Sequence, residues 1–202
     1  SYNNIMDADA AVSCVSEFKQ PGCVVIKHAN PCGAAVSDNV YDSFLKALNA
    51  DRLSAFGGIV ALNRECTTEI AKELSDFFIE IIVAPSFTKE SLEIFSSKKN
   101  LRVIELVSLD GFNDKTSVRN INGGLLLQET DTFTVDAKSL KIVTDSKISP
   151  NTYGTIEFGW TVLKYIKSNG ILIVKNNATL GVGAGQVSRV DSVDIAITKA
   201  SG

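Results

Sequence analysis

Apolar runs of four to six residues alternate with segments of helical period along most of this 202-residue chain, and no other feature limits its fold as strongly. Runs of that length bounded by turn residues read as buried strands, and strands alternating with helices make a layered α/β fold. Strands are expected at residues 23–27, 33–36, 58–62, 79–84, 101–106, 124–128, 140–144, 171–175 and 179–183. Between them, helices are expected with Asp7, Ser37-Asp38, Thr67 or Thr68, Thr88 and Thr152 as caps, and a last helix covers 190–200. The first carries Ala11, Val12, Val15 and Phe18 on one face until Pro21-Gly22 breaks it, and the second turns Tyr41, Phe44, Leu45 and Leu48 inward. The helix opened by Thr152 carries Ile156, Trp160, Leu163 and Ile166 on one stripe. Residues 107–120 are polar and irregular, a connecting loop that divides the chain into units 1–120 and 121–202.

The two units share a layout. Val24-Val25-Ile26-Lys27 is followed by Gly33 six residues after the lysine, Ile173-Val174-Lys175 by Gly181 at the same interval, and both continue into a helix. Two matched residues are few, but they suggest two related subdomains. The apolar pattern of the last helix stops with no cap beyond Ser201-Gly202, so the chain reads as a fragment.

Composition removes several function classes. With 45% hydrophobic residues, the chain has core enough to fold without disulfide or metal staples. Lys and Arg number 20 against 23 Asp and Glu, and the net charge of −3 offers nucleic acid no overall attraction. The longest apolar stretch, 77–85, is interrupted by Glu80 and falls short of the roughly 20 residues of a membrane span. No basic-then-apolar leader precedes Tyr2, so the expectation is a cytoplasmic protein with neither nucleic acid nor membrane as partner. Cys14, Cys23, Cys32 and Cys66 lie in apolar stretches and read as reduced thiols. Cys23, His28 and Cys32 raise the question of zinc, but three ligands fall short of a tetrahedral set, and strand alternation sends Cys23 and His28 to opposite faces. No catalytic metal is expected.

Chemistry concentrates in a few segments. Lys27-His28-Ala29-Asn30-Pro31-Cys32-Gly33 places the one histidine beside a lysine at the end of an apolar strand, and carboxyl ends of strands face the ligand crevice in open α/β sheets. Histidine exchanges a proton near neutral pH, and the neighbouring ammonium stabilises a developing oxyanion. The same residues also fit a plain hairpin turn with a solvated lysine. Ser54-Ala55-Phe56-Gly57-Gly58 taken alone is a turn. Glu80, inside an apolar run, either faces solvent on an edge strand, pairs with a cation or holds a polar ligand. Residues 181–189, Gly-Val-Gly-Ala-Gly-Gln-Val-Ser-Arg, lead from strand to helix without matching the dinucleotide fingerprint or the phosphate loop. Amides at a helix start and Arg189 suit an anion, while the glycines equally suit a soft turn.

Taken in order and spacing, residues 27–33, 54–61, 81–85 and 181–189, with Tyr2-Asn3-Asn4-Ile5 and Asn122-Gly123-Gly124-Leu125-Leu126, resemble the formyltransferase domain of the AICAR transformylase/IMP cyclohydrolase family. The resemblance covers essentially the whole chain. It implies two cytidine-deaminase-like α/β subdomains, the second truncated, and transfer of a formyl group from 10-formyltetrahydrofolate to the 5-amino group of aminoimidazole carboxamide ribonucleotide (AICAR). By position, His28 matches the family's proton acceptor and Lys27 its transition-state stabiliser. Gly57, Glu80 and Asn169 match nucleotide contacts, and Arg189 and Val190 match folate-side contacts; some relatives carry Asp at the Glu80 position.

The same resemblance implies a homodimer with each site built across the interface. It also implies a cyclohydrolase domain before Ser1, carrying an Arg-Tyr pair that touches the nucleotide, and a pocket-completing segment after Gly202. The isolated chain is therefore expected to be inactive or nearly so. The zinc-deaminase elements are missing, because Ala29-Asn30 follows His28 and Gly33-Ala34-Ala35 follows Pro31-Cys32. The rival readings are a catalytically silent dimerisation or nucleotide-binding module of the same fold and, by fold analogy alone, a nucleoside deaminase.

Overall fold

A computed structural model of the chain describes residues 1–109 and 116–201. Its centre is a mixed sheet of seven strands in the order β5-β4-β3-β1-β2-β9-β8. These are β1 (Gly22–Lys27), β2 (Asn30–Val36), β3 (Ile59–Leu62), β4 (Ile81–Ala84), β5 (Arg102–Glu105), β8 (Ile171–Lys175) and β9 (Ala178–Gly183). Strands β3, β4 and β5 run parallel to one another, and β1 is antiparallel to both β2 and β3. Strands from both sides of residue 120 share this sheet, through the antiparallel pairing of β2 with β9 at Ala35 and Ala178.

Alternation along the strands makes two cores. On one face, Cys23 and Val25 of β1 pack with Phe44 and Leu48 of α2 (Val40–Ala50), Ile70 and Leu74 of α4 (Thr68–Ser75) and Phe95 of α5 (Lys89–Ser96). On the other, Val24 and Ile26 pack with Ala11, Val12 and Val15 of α1 (Tyr2–Ser16) and Phe158 and Val162 of α6 (Thr152–Leu163). The result is an α/β fold with helices on both faces of one sheet. Two further helices, α3 (Arg52–Ala55) and α7 (Arg189–Ala200), follow α2 and β9.

Several local expectations are corrected. Ser1, not Asp7, caps α1, its hydroxyl accepting from the Asn4 amide at 3.3 Å; Asp7 sits inside the helix. Asn39, rather than Ser37-Asp38, caps α2, accepting from the Asp42 amide at 2.8 Å. Thr88 caps α5 as expected. Within the stretch expected as loop, Thr116–Ile121 forms β6, which among the described residues pairs only with β7 (Gly124–Glu129); residues 110–115 of that stretch lie outside the described residues. Residues 140–144 form no strand and follow a single 3-10 turn at Ala137–Ser139. In α6 the buried stripe is Phe158 and Val162, continued by Ile166, while Trp160 and Leu163 are exposed. Apolar residues fall on more than one side of this helix, so periodicity alone does not identify its inner face.

The repeated layout is a repeated structure. Each hairpin, β1–β2 and β8–β9, turns through two consecutive left-handed residues, His28 and Ala29 (φ 53° and 58°) in one, Asn176 and Asn177 (φ 51° and 56°) in the other. Each also shifts register at the same place, between Val25 and Ile26 and between Ile173 and Val174. The repeated glycine lies just beyond, and the following helix rides directly on it. A Cβ on Gly33 would stand 1.9 Å from the Ala47 carbonyl oxygen of α2, and one on Gly181 would stand 2.0 Å from that of Ala196 in α7. A buried serine in each helix, Ser43 or Ser192, donates to the carbonyl of Pro21 at 2.8 Å or of Asn169 at 2.7 Å, each just ahead of its first strand.

Candidate active site

Strand directions gather all the expected site residues on one edge of the sheet. That edge holds the end of β1 (Lys27), the residues entering β3 and β4 (Gly57, Glu80), the residue ahead of β8 (Asn169), and the loop from β9 into α7 (Arg189, Val190). Lys27 is at a carboxyl end as expected, but the parallel strands β3, β4 and β5 present their amino ends here, because β1 runs against them. The usual rule for parallel sheets therefore does not locate this site; the antiparallel hairpin does.

A cavity of about 350 Å³ opens at that edge, and Lys27, His28, Gly57 and Glu80 all line it, with Asn4, Asp7 and Phe78 among the other residues of its wall. The Lys27 ammonium donates to the Phe56 carbonyl. Gly57, at φ 68°, lets the loop pass between two walls: a Cβ there would come within 3.3 Å of both Lys27 Nζ and a Phe78 ring carbon. Glu80 lies just before an interior strand rather than on an edge strand, and it is not left to solvent. Its Oε2 accepts from Arg102 at 2.6 Å and from the Asn4 side chain at 3.3 Å. With Arg102 54% exposed, the pair adds little stability and stays open to exchange with a ligand.

The turn itself is held from both sides. Asp7 reaches from α1 with both carboxylate oxygens, accepting from the His28 amide at 3.1 Å and the Ala29 amide at 2.7 Å. On the other side, the Asn30 side chain donates to the His28 carbonyl at 3.0 Å and accepts from the Lys167 amide at 3.0 Å, tying the turn to the second hairpin unit. The His28 side chain is exposed and makes no hydrogen bond or ion pair among the described residues. Sequence reasoning missed Asp7, Asn4, Phe78 and Arg102 as neighbours of the site. The spacing that pairs Asp7 with Thr155, each twenty residues before the lysine of its unit, is present in the sequence but joins unlike residues.

Asn169, Arg189 and Val190 do not line that cavity. Asn169 braces the glycine loop: its side-chain amide donates to the carbonyls of Gln186 and Val187, each at 3.0 Å. Arg189 and Val190 are exposed at the start of α7, and the Ser188 cap makes no side-chain hydrogen bond. Arg189 has no hydrogen-bond or ion-pair partner among the described residues, so its guanidinium stands open to an anion.

The thiols take no part. Burial pushes Cys14 and Cys23 well up and raises Cys32 and Cys66 to about 12, so none is an activated nucleophile. Among the described residues no three His, Cys, Asp or Glu side chains lie together as a metal site, and no helix is long and apolar enough to cross a membrane.

An imidazole and an ammonium at one cavity, with a carboxylate in the same lining, are groups able to exchange a proton and to stabilise an oxyanion. A family model described as AICARFT/IMPCHase bienzyme matches residues 1–199. The bifunctional purine biosynthesis proteins PurH of Anoxybacillus flavithermus, Thermoanaerobacter sp. and Bacillus cereus (strain AH187) are 46%, 44% and 45% identical to it over 200 residues. The match covers 99% of this chain and 39% of each relative, so the chain spans well under half of their length. On a match that runs nearly end to end, the chain belongs to the AICARFT/IMPCHase bienzyme family.

Proposed function

We propose that this chain forms part of a formyltransferase that moves the formyl group of 10-formyltetrahydrofolate onto the 5-amino group of AICAR. One observation carries the reading: Lys27, Glu80 and His28, whose ring has no hydrogen-bond or ion-pair partner among the described residues, line one cavity in a member of this family. The attacking amine is weak because its lone pair is delocalised into the imidazole carboxamide ring. His28 accepts its proton as the nitrogen bonds to the formyl carbon, and the Lys27 ammonium stabilises the oxyanion of the tetrahedral intermediate. Collapse breaks the bond from the formyl carbon to N10 of the folate, which takes a proton and leaves as tetrahydrofolate.

Gly57 and Glu80 contact the nucleotide from the cavity wall. Asn169, Arg189 and Val190 act from the glycine loop, Arg189 and Val190 on the folate side. We assign units 1–120 and 121–202 to two deaminase-like subdomains, supported by the duplicated hairpin, bulge and glycine contact. The working site is completed by a second copy in a homodimer and by residues beyond this chain, in a cytoplasmic enzyme. Residues 1–202 alone are accordingly expected to turn over far more slowly than the full-length protein.

Tetrahydrofolate release is the test, followed by absorbance with AICAR and 10-formyltetrahydrofolate, in the full-length protein and its His28→Ala variant. The reading requires turnover in the parent and a loss of about 10²-fold or more in the variant with its fold retained. Unchanged turnover in the variant moves the proton acceptor elsewhere. No turnover in the parent leaves a silent dimerisation or nucleotide-binding module.

A further inference from the structure

We propose that Asp7 is a positioning residue for His28, holding the strained turn so that the imidazole points into the cavity. The inference rests on the formyl-transfer reading of that site and deepens it. Because the His28 ring makes no hydrogen bond or ion pair among the described residues, no side-chain partner fixes its direction; the backbone must. That backbone is left-handed at His28 and Ala29, a region that histidine enters more readily than most residues but that the alanine side chain disfavours. Asp7 meets both amides with its two carboxylate oxygens, at 3.1 and 2.7 Å. Its own position is fixed, since α1 is anchored to the sheet by buried Ala11, Val12, Cys14 and Val15.

The second unit supplies the control. Its hairpin has the same bulge and the same left-handed pair, but at Asn176-Asn177, and asparagine tolerates that conformation. The residue in the place of Asp7 is Thr155, which donates to the Asn177 side chain at 3.0 Å instead of accepting from the turn amides. Among the described residues no side chain accepts from those amides. The hairpin therefore forms without an amide clamp where both turn residues suit it, and the clamp appears where an alanine follows the histidine in the turn.

The test compares the full-length protein with Asp7→Ala, Asp7→Asn and the double variant Asp7→Ala/Ala29→Asn. Amide hydrogen exchange at residues 28–29 reads the clamp without reference to chemistry. It is expected to rise at least tenfold in Asp7→Ala while exchange at Asn176 and Asn177 stays the same. In the formyl-transfer assay, Asp7→Ala is expected to lose about 10- to 100-fold in kcat with the nucleotide KM little changed, the signature of misaimed chemistry. Asp7→Asn keeps one acceptor and falls between. The double variant, whose new asparagine suits the left-handed turn, is expected to recover most of the loss.

Unchanged exchange at residues 28–29 in Asp7→Ala overturns the proposal. So does a kcat loss that Ala29→Asn leaves untouched, because Asp7 would then act through its charge. If Asp7→Ala fails to fold, the exchange and kcat of Asp7→Asn decide the same question. Absence of formyl transfer in the parent defeats the functional reading instead, and the exchange arm still decides whether Asp7 holds the turn.

Discussion

The two hairpin units share a backbone and differ in what they place on it. In the first, a left-handed turn carries His28-Ala29, and the alanine, which lacks a side chain suited to that region, costs about 1 kcal/mol. Two hydrogen bonds to an ionised carboxylate, each contributing about 1.5–3 kcal/mol, offset that cost. In the second, Asn176-Asn177 takes the same turn at little cost, and a single hydroxyl from Thr155 touches it. The difference separates what the fold requires from what the site requires. Glycine, bulge and buried serine recur because the helix must lie on the hairpin; the carboxylate and the histidine belong to the one of these two turns that lines the cavity with Lys27 and Glu80.

The strongest test of that separation makes the first turn resemble the second. His28→Asn is expected to keep the hairpin and melt near the parent, yet lose at least about 10²-fold in formyl-transfer kcat, or ~2.7 kcal/mol of transition-state stabilisation. Asn176→His, which puts the same ring on the other turn, should leave kcat unchanged. A His28→Asn enzyme that turns over normally would make the two turns equivalent and break the comparison.

Shared architecture predicts shared damage. Gly33→Ala and Gly181→Ala each push a methyl group against a helix carbonyl, at 1.9 and 2.0 Å, and backbone cannot yield as a side-chain tip does. Each should destabilise by about 2–3 kcal/mol and lower the melting temperature by several degrees. Thermal unfolding of the two variants should give similar losses; tolerance at one alone would mean that only one helix truly rides on its hairpin.

Much of this architecture was legible in the sequence. Buried strands announced themselves as short apolar runs, and the interval from Lys27 to Gly33, repeated from Lys175 to Gly181, pointed to the duplication. Less legible was anything decided by tertiary context. Strand β6 reads as polar loop because both it and β7 are exposed on all positions, so no alternation marks them. Asp7 reads as a cap by its type, although its carboxylate serves a turn that arrives 22 residues later. Glu80 reads as an interruption in a strand, whereas the strand starts one residue beyond it and the carboxylate answers Arg102 from the neighbouring strand. In each case the missing information is which distant segment lies alongside.

The two units also meet through an ion pair, and pH probes it. Lys199 of α7 reaches Asp51 at 2.6 Å, and Asp51 caps α3 through the Ser54 amide at 3.0 Å. Burial pushes the Asp51 carboxyl up, but the hydrogen bonds from Lys199 and Ser54 outweigh it and hold the group below its ordinary value. A depressed carboxylate contributes stability above its unfolded pKa of about 3.9 and loses it as pH falls through the lower, folded value. Because Lys199 is 35% exposed, the contribution should stay near 1 kcal/mol. Denaturant unfolding of the parent and Asp51→Asn should therefore differ by about that much at neutral pH and converge in strong acid; a constant difference would move the effect to the α3 cap.

Thr155→Val is the smallest change and the sharpest comparison. It removes the one hydrogen bond, at 3.0 Å, by which α6 touches the second turn, and nothing else at that turn depends on it. A loss of about 0.5–1 kcal/mol in stability is expected, the usual worth of a single neutral hydrogen bond. No change is expected in formyl-transfer kcat or in amide exchange at His28 and Ala29. The position is nonetheless the counterpart of Asp7, twenty residues before its lysine on the helix that precedes its hairpin. A large kcat effect would therefore mean that the second turn communicates with the first, and the route would be Asn30, whose side chain bonds both the His28 carbonyl and the Lys167 amide that leads from α6 into β8.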